Sequence, residues 1–457
     1  MNVEELQAAL AEALELIWEL RAENEALKKE VAALKARLLP DPATPSGAVP
    51  VYKKAPTRGR KKRPGRKKGH QGARRPTPEN ITRTEEHNLE CCPECGGVNL
   101  KQLREPRTRI IEDVPPVPPE AVEHVIHRYR CADCKKIVEP VVTDALPGMQ
   151  IGMNLLVQTA WLHCGLGMTV GSVVQYLNSL LQVKISPGGL TQMWARLAAR
   201  LTPVYEELHE QAKAAPVLHA DETGWRVDGK PWWLWAFTTG NLVFYILRRT
   251  RGAKVVAEVL GEIFDGVLCR DFFGSYNAVE AWAKQRCIVH LLREVKKVSL
   301  ANDGDEWKAF RRRLKRLLTE ALNWRRRRDE LARAVYLERV MVFNLRLAAL
   351  ARGPYADKDA KRLAKRLRKY GPEIPTFLET DAPADNNAAE RAIRPAVVMR
   401  KNSYGNMSDA GAHAQAVLMS VFRTLRMRGE DPVAWVKKYL QESLSAKKPP
   451  LKRDAAA

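Results

Sequence analysis

The chain has 457 residues, 45% of them hydrophobic, and its 76 Lys+Arg against 53 Asp+Glu give a formal net charge of +23. This length is too great for one ordinary domain, and the hydrophobic content is sufficient for buried cores. No apolar stretch approaches the roughly 20 residues of a membrane span, and the N-terminus is acidic and amphipathic rather than signal-like, which argues against membrane and secreted proteins.

The positive charge is concentrated in blocks, which favours a polyanionic partner, and nucleic acid is the natural one. Five of the eight cysteines cluster between positions 91 and 134, and the other three stand in apolar runs. This pattern indicates a metal site and buried thiols in a reducing compartment rather than a disulfide framework. We therefore expect a soluble, cytoplasmic, nucleoid-associated protein.

Residues 1–39 carry a heptad repeat that predicts a leucine zipper. Apolar residues fill the a and d positions, and Asn24 is the one polar residue at an a position. A single polar a residue fixes the register and favours a two-stranded parallel coil. A lone amphipathic helix packed on its own protein is the alternative, but the narrow apolar seam favours a homodimer.

Residues 40–84 have the composition of a disordered basic linker. Within them, Gly59–His70 holds seven basic residues and no acidic one. Such a tract cannot fold alone, and along DNA it would neutralise phosphates without reading sequence, although a solubilising spacer would have the same composition. The predicted DNA-binding residues here are Arg60, Lys61, Lys62, Arg63, Arg66, Lys67 and Lys68.

Two C-x-x-C pairs, Cys92/Cys95 and Cys131/Cys134, are separated by 35 residues. Four thiolates form the tetrahedral soft-ligand set that Zn²⁺ prefers. Because strand-like segments lie between the pairs, we expect one structural zinc in a zinc ribbon at residues 85–145. A redox pair is the alternative, and Cys91 could replace Cys92.

Residues 146–212 show three helical patterns, at 151–166, 169–181 and 189–208. The turn before the third pattern has Ser186 as a predicted N-cap and Pro187 at the first helical position. This joint resembles a helix-turn-helix that reads DNA, and a plain three-helix packing unit fits equally well.

A series of short strands begins with Val217–Trp225, which contains the acidic pair Asp221 and Glu222. Two aromatic and β-branched runs follow at residues 232–237 and 241–247, with turns expected at Lys230-Pro231 and at Thr239–Asn241.

A helix-like segment at 253–263 then leads to a fourth strand that stops on Asp271, and Arg286–His290 is the expected fifth strand. This is the element order of a ribonuclease H-like sheet, on which carboxylates at the ends of the first and fourth strands would converge.

Residues 301–380 are helical in pattern and very basic, with leucines at helical spacing. Four consecutive arginines are costly without an anionic partner, so a DNA-binding face is favoured over a solvated one. The predicted contacts are Arg325, Arg326, Arg327 and Arg328.

A third carboxylate stands in Asp385–Pro395, a predicted short helix that Asp385 caps and Pro395 ends. Glu390 lies in it, one turn from Asn386 and from Arg394. With Asp221 and Asp271 it would supply hard oxygen ligands for two Mg²⁺ ions, which catalyse phosphodiester displacement when about 4 Å apart.

These blocks resemble a family, the transposases of insertion sequence 66, which have an Asp-Asp-Glu ribonuclease H-like core. The resemblance covers nearly the whole chain, and its most specific blocks hold Glu390 and the pair Cys287/His290. The matching segments are the basic tract with the C-x-x-C pairs, Asp221–Trp225, Asp271–Tyr276, Gln285–Arg293, Asp385–Pro395 and Arg400–Gly405.

The resemblance implies that Asp221, Asp271 and Glu390 are catalytic acids binding two Mg²⁺ or Mn²⁺ ions, although the sequence alone leaves Glu222 as a rival to Asp221. It further implies cleavage at transposon ends and attack of the freed 3′-hydroxyl on target DNA by a dimer or higher oligomer. Accessory proteins of the same element are further candidate partners. The implied supporting residues are Cys287, His290, Asn386, Asn387, Arg391 and Arg394.

The predicted fold class is multidomain α/β. The expected order is a coiled coil (1–39), basic linker (40–84), zinc ribbon (85–145), helical DNA-binding domain (146–212), ribonuclease H-like core (213–300 and 381–442) with a basic helical insertion (301–380), and a disordered tail (443–457). Two other functions compete with a transposase: a zinc-ribbon DNA-binding regulator without activity, and a nuclease that cuts without joining.

Overall fold

The computed structural model of the protein describes residues 19, 20, 22–28, 30, 78–103, 107–113 and 118–445. The described residues of the predicted zipper are helical, and Leu20 and Leu27, both at d positions, are exposed. The rest of the zipper, the seven basic residues between 60 and 68 and the tail from 446 lie outside the described residues.

After the helical residues of the predicted zipper, the next elements are two short antiparallel strands, β1 (Tyr129–Arg130) and β2 (Ile137–Val138), on either side of the second C-x-x-C pair. Helix α1 (Met153–Ala160) follows and continues into a π-helical turn at Trp161–Gly165. Helices α2 (Val170–Leu180) and α3 (Pro187–Lys213) complete this segment.

The predicted start of α3 is confirmed. Ser186 is its N-cap, with its hydroxyl oxygen accepting from the backbone N–H of Gly189 at 3.1 Å, and Pro187 is the first helical residue. Helices α1 to α3 share one hydrophobic cluster with the sheet described next, through side chains such as Leu156, Leu177 and Leu197.

The sheet has five strands: β3 (Val217–Val227), β4 (Lys230–Thr238), β5 (Val243–Arg248), β6 (Ile263–Arg270) and β7 (Glu280–Arg286). Their spatial order is β5-β4-β3-β6-β7. The first three strands are joined by antiparallel hairpins, and β3, β6 and β7 are parallel neighbours. The predicted order of three hairpin strands followed by two later strands is therefore observed in a mixed sheet.

The strand prediction was wrong about the first turn and about the fifth strand. The first turn lies at Asp228-Gly229, where both residues have positive φ, and Pro231 is inside β4, next to its first residue, where a missing N–H is tolerated. The fifth strand precedes residue 287 rather than spanning Arg286–His290. Because Ile288, Leu291 and Val295 are buried at helical spacing, that segment is helix α5 (Ile288–Val298).

Helix α4 (Ala253–Leu260) connects β5 to β6 and ends before Gly261, which has a φ of 79°. A 3₁₀ turn at Gly274–Ala278 lies between β6 and β7. A second hydrophobic cluster begins in α5 and extends from Ile288 to Leu378. Its helices are α6 (Asp305–Arg326), α7 (Arg333–Arg352), α8 (Lys358–Tyr370) and α9 (Thr376–Glu379).

The chain returns to the sheet through α10 (Asn387–Ser403), α11 (Asp409–Met427) and α12 (Pro432–Ser445). The predicted end of α10 at Pro395 was wrong, because the proline lies inside the helix. Ala396 and Met399, in the following turn, are buried, and their burial offsets the roughly 3 kcal/mol cost of an internal proline. Among the described residues, no helix combines the length and apolarity required to cross a membrane.

Candidate active site

Asp221 and Asp271 occupy equivalent positions relative to two neighbouring parallel strands. His219 of β3 is paired with Cys269 of β6, and each aspartate follows two residues later, Asp221 within β3 and Asp271 directly after the end of β6. The predicted position of Asp221 at a strand end was wrong, since β3 continues to Val227. The parallel pairing of β3 with β6 nevertheless stops at His219, so the two strands are no longer hydrogen-bonded to each other at Asp221. The carboxylates of Asp221 and Asp271 therefore lie at the same edge of this strand pair.

The surroundings of Asp221 disfavour its charge. Burial raises the pKa of this carboxyl well above its usual range, and the neighbouring charges of Glu222, Asp271 and Glu390 raise it further. Its Oδ1 accepts from the backbone N–H of Glu222 at 2.9 Å, which partly opposes this effect. Asp271 and Glu390 are therefore near enough to Asp221 to affect its charge.

Glu390 lies in the first turn of α10 and is held by the basic side chains of α5. Arg293 donates to both carboxylate oxygens, with Nη1 at 2.7 Å from Oε1 and Nη2 at 3.2 Å from Oε2. His290 Nε2 is 3.6 Å from Oε1. The Glu390 carboxylate remains partly exposed, at 30%, so that it faces both solvent and the Arg293 guanidinium.

Asn386 connects the helix of Glu390 to the strand of Asp221. Its Nδ2 donates to the backbone carbonyl of Ala220 at 2.8 Å, and its Oδ1 lies 2.9 Å from Nδ1 of His219. Burial lowers the pKa of His219, which favours the neutral ring. Because the Asn386 side chain is buried, these bonds fix the start of α10 against β3.

Cys287 is the residue directly before α5, and His290 lies in the first turn of that helix. The Cys287 Sγ accepts from the backbone N–H of Asn386 at 3.2 Å, and burial raises the pKa of this thiol to about 11. The Cys287 backbone N–H donates to the carbonyl of Arg270 at 2.9 Å. Burial also lowers the pKa of His290, and among the described residues its Nδ1 has no hydrogen-bond partner.

Glu222 points to a different set of partners. Its Oε1 accepts from Nε of Arg251 at 2.9 Å and from Nη2 at 2.5 Å, and its Oε2 accepts from the hydroxyl of Tyr276. Its side chain is only 1% exposed. Successive strand residues face opposite sides of a sheet, so Glu222 is directed away from Asp221 and is satisfied within the protein.

A further buried ion cluster connects the two hydrophobic cores beside Asp271. Glu373 Oε2 accepts from Nη2 of Arg270 at 3.0 Å and from Nε of Arg286 at 2.5 Å, and both arginine side chains are fully buried. Arg286 Nη1 also donates to the backbone carbonyl of Asp271 at 2.7 Å. The position of Asp271 therefore depends on a glutamate contributed by the helical segment.

The other predicted residues have varied surroundings. Arg391 and Arg394 are exposed on α10, and Asn387 donates its backbone N–H to Asp385 Oδ1 at 2.9 Å. In the predicted arginine run, Nη2 of Arg325 is 3.7 Å and Nη1 of Arg328 is 3.1 Å from Oδ1 of Asp381. Nε of Arg327 is 2.7 Å from Oε2 of Glu330. Three of these four arginines therefore have protein carboxylates near them.

The two C-x-x-C pairs form the same turn. The backbone N–H of Cys92 donates to the carbonyl of Gly97 at 2.8 Å. In the same way, the backbone N–H of Cys131 donates to the carbonyl of Lys136 at 2.9 Å. The residue after each second cysteine, Gly96 or Lys135, has positive φ and donates back to the first cysteine's carbonyl. Cys92, not Cys91, therefore occupies the position equivalent to Cys131.

Neighbouring backbone N–H groups lower the pKa of the first thiol in each turn. At Cys92 these groups belong to Glu94 and Cys95, and at Cys131 they belong to Cys134 and Asp133. This favours the thiolate that zinc binds. In the described part of the chain, however, no group of three or more His, Cys, Asp or Glu side chains is placed to hold a metal ion.

Sequence reasoning did not single out the side chains that position the acids. These are His219, Arg251, Arg270, Tyr276, Arg286, Arg293 and Glu373. One local signal was available: His219 lies two residues before Asp221 and so on the same face of β3. The other contacts join residues far apart along the chain.

Comparison with known proteins gives a consistent result. A family model described as "Transposase IS66 family" matches residues 148–414, and one described as the zinc-finger binding domain of transposase IS66 matches residues 90–135. In Sinorhizobium fredii, the uncharacterized protein y4hP is 24% identical over 415 residues, covering 79% of this chain and 72% of y4hP. The uncharacterized protein y4jD is 23% identical over 498 residues, covering 97% of this chain and 94% of y4jD.

Proposed function

The chain belongs to the IS66 family of transposases, and we propose that it cuts DNA at the ends of its mobile element and joins them to target DNA, with Asp221, Asp271 and Glu390 as the catalytic acids. The observation that carries this proposal is the placement of Asp221 and Asp271 at one edge of two parallel strands, with α10 fastened to the same strand by Asn386. The strand order supports a ribonuclease H-like core.

The three acids are of the donor type that divalent cations prefer, although among the described residues they are not placed as a preformed metal-holding group. Carboxylate oxygens are the ligands that Mg²⁺ and Mn²⁺ prefer, and a desolvated carboxylate surrounded by other carboxylates is relieved by positive charge. Asp221, Asp271 and Glu390 would hold the ions. When bound, a pair of ions supplies activation of the attacking oxygen and stabilisation of the leaving oxygen.

The chain's own residues have three tasks in this proposal. Asn386 and Cys287 hold the helices of Glu390 and His290 in place, and Glu373 holds the end of β6 through Arg270 and Arg286. Arg293 keeps Glu390 at the edge of the sheet and competes with cations for its oxygens, since it donates to both. We therefore expect Glu390 to be the acid that reorients most when the site is filled.

The remaining segments would hold DNA and the second copy of the protein. The exposed d residues Leu20 and Leu27 agree with a zipper that needs a partner chain. The two identical turns at Cys92 and Cys131 would come together around one structural zinc. Transposon ends would be bound by the basic tract, the zinc-finger region and helices α1 to α3.

A cleavage and joining assay tests the proposal, with duplexes carrying candidate element ends and Mg²⁺. We expect Asp271→Asn to lose at least a thousandfold in cleavage rate while it still binds the duplex in a mobility-shift assay. Asp265→Asn is the matched control, because Asp265 is an exposed aspartate on β6, the strand that Asp271 directly follows.

Equal cleavage by Asp271→Asn and the wild-type protein would contradict the assignment of the acids. Two results would favour the other functions considered above. Cleavage without joining by the wild-type protein would indicate a nuclease. Tight binding of the ends without cleavage, in Mg²⁺ or in Mn²⁺, would indicate a regulator.

A further inference from the structure

Helix α8 exposes one face that consists of cations alone. We call this face the α8 stripe, and its members are Lys358, Lys361, Lys365, Arg368 and Lys369, all of them exposed. At 3.6 residues per turn, these five positions fall within an arc of about 100°. The opposite face of the helix, which includes Leu363 and Leu367, is buried in the second hydrophobic cluster. The stripe is therefore a single row of positive charge that faces solvent.

The stripe lacks the carboxylate partners that the neighbouring arginines have. On the adjacent side of α8, Arg362 and Arg366 both donate to the carboxylate of Glu294 in α5. Arg362 also lies 3.6 Å from Oδ1 of Asp359. Among the described residues, by contrast, no carboxylate forms an ion pair within 4.0 Å of any member of the stripe. The protein itself therefore leaves the charge of the stripe largely uncompensated.

Helix stability does not account for this arrangement. Like charges three or four residues apart on a helix repel each other, and Lys365 has such a neighbour on both sides, Lys361 and Arg368. Cations stabilise the C-terminal end of a helix through its dipole and not the N-terminal end, yet Lys358 is the first residue of α8. A bound polyanion would remove both of these unfavourable contributions.

The C-terminal end of the stripe lies beside the loop of Asp271. Tyr370, the last residue of α8, packs against Phe272 with ring centroids 5.8 Å apart. The Nζ of Lys369 is 5.2 Å from the centroid of the Tyr370 ring, and the guanidinium of Arg366 is 5.2 Å from that of Phe272. Because Phe272 directly follows Asp271, a polyanion that lies along the stripe extends to the loop of a proposed catalytic acid.

We propose that the α8 stripe binds the phosphate backbone of the DNA on which the acids act, on the side of Asp271. The stripe spans about 17 Å from Lys358 to Lys369, and one strand of duplex DNA has a phosphate every 3.4 Å or so along the axis, which gives about five phosphates. Contacts of lysine and arginine with phosphates position DNA without reading its sequence. The inference rests on DNA as the proposed substrate, and not on the assignment of the three acids.

The salt dependence of DNA binding tests the stripe. The full-length protein is titrated into a labelled duplex of arbitrary sequence, without added Mg²⁺, so that no cleavage is required. The triple variant Lys361→Gln, Lys365→Gln, Arg368→Gln should lower the slope of log Kd against log salt concentration by about 2–3, because each phosphate contact contributes about 0.9 to that slope. The charge-retaining triple variant Lys361→Arg, Lys365→Arg, Arg368→Lys should keep the wild-type slope.

The matched control is the triple variant Lys254→Gln, Arg426→Gln, Lys438→Gln. It removes the same charge from exposed positions on α4, α11 and α12, outside the second hydrophobic cluster. Its slope should stay within about 0.5 of the wild-type slope. Equal slopes in this control and the stripe variant, whether lowered or unchanged, would overturn the proposal, because the charge of the stripe would then have no special part in DNA binding.

A photochemical cross-link tests direct contact, which a purely structural role of the stripe would not produce. Lys365→Cys, labelled with an azidophenacyl group, should cross-link to the duplex above the baseline of wild-type protein labelled on its native cysteines, whereas Lys254→Cys should not. A Lys365→Cys signal at the baseline would overturn the proposal. A signal above it, together with wild-type cleavage by Asp271→Asn, would support the stripe and remove only the proposed acids.

Discussion

Asn386 donates its side-chain amide to the carbonyl of Ala220, the residue directly before Asp221, at 2.8 Å. This bond and the contact of Asn386 with His219 are two of the direct side-chain ties between the strand of one proposed acid and the helix of another, and Arg400 farther along the helix also donates to the carbonyl of Gly224. Replacing Asn386 therefore separates positioning of the acids from their own chemistry.

We expect Asn386→Ala to lower the free energy of unfolding by about 2–4 kcal/mol, because it leaves buried polar groups of Ala220 and His219 without partners. It should also weaken Mn²⁺ binding, measured by titration calorimetry. Asn387→Ala is the control, since the adjacent asparagine is only partly buried. Equal effects in the two variants would show that Asn386 does not position the site.

Replacing Asp221 or Glu222 by its neutral amide should change the free energy of unfolding in opposite directions. Asp221→Asn removes a buried charge that three carboxylates oppose, so in metal-free buffer we expect it to raise the free energy of unfolding, on the order of 1 kcal/mol, while abolishing cleavage. Glu222→Gln keeps one acceptor oxygen and replaces the other by an amide donor, so either Arg251 or Tyr276 loses its acceptor, and the free energy of unfolding should fall by about 1–3 kcal/mol. Chemical denaturation measures both, and a reversed order would reverse the assignment of the two acids.

The cysteine turns predict which thiols bind zinc. Cys92→Ser should lose the zinc that copurifies with the protein, measured by elemental analysis, because Cys92 holds the turn equivalent to that of Cys131. Cys91→Ser should retain one zinc per chain. Loss of zinc in Cys91→Ser alone would show that the neighbouring thiol is the ligand.

His163 provides a test of pH dependence away from the acids. It is buried against Trp194, with ring centroids 4.6 Å apart, and burial lowers its pKa below the ordinary 6.5. As pH falls from 7 to 5, the unfolded chain takes up a proton that the folded ring resists, so stability declines. His163→Gln should reduce that decline, by at most about 2 kcal/mol. Thermal unfolding at several pH values measures it, and an unchanged slope would contradict the prediction.

The features that could be predicted from sequence are those set by nearby residues. Ser186 and Pro187 mark a helix start because capping involves residues only three apart. The strand order followed from the succession of apolar runs. The end of α10 was misjudged because the cost of Pro395 is local, whereas the burial of Met399 that offsets it depends on the rest of the fold.

The partners of the acids could not be predicted because they are distant in sequence. Glu222 is 29 residues from Arg251 and 54 from Tyr276, and Glu390 is 97 from Arg293. Such pairings are decided by strand register and by the docking of α10, and neither leaves a local pattern. For this reason the sequence does not distinguish Asp221 from Glu222 as the proposed catalytic acid. The folded structure does, because the two side chains have different partners.

The order of the proposed acids along the chain also has a consequence for protein synthesis. Asp271 precedes Glu390 by 119 positions, which are occupied largely by the second hydrophobic cluster. At about 5–20 residues per second, a ribosome needs about 6–24 s to cover that interval. During this time a nascent chain holds two of the three acids and lacks the third, so it has no complete site with which to nick the chromosome before most of the polypeptide has been made.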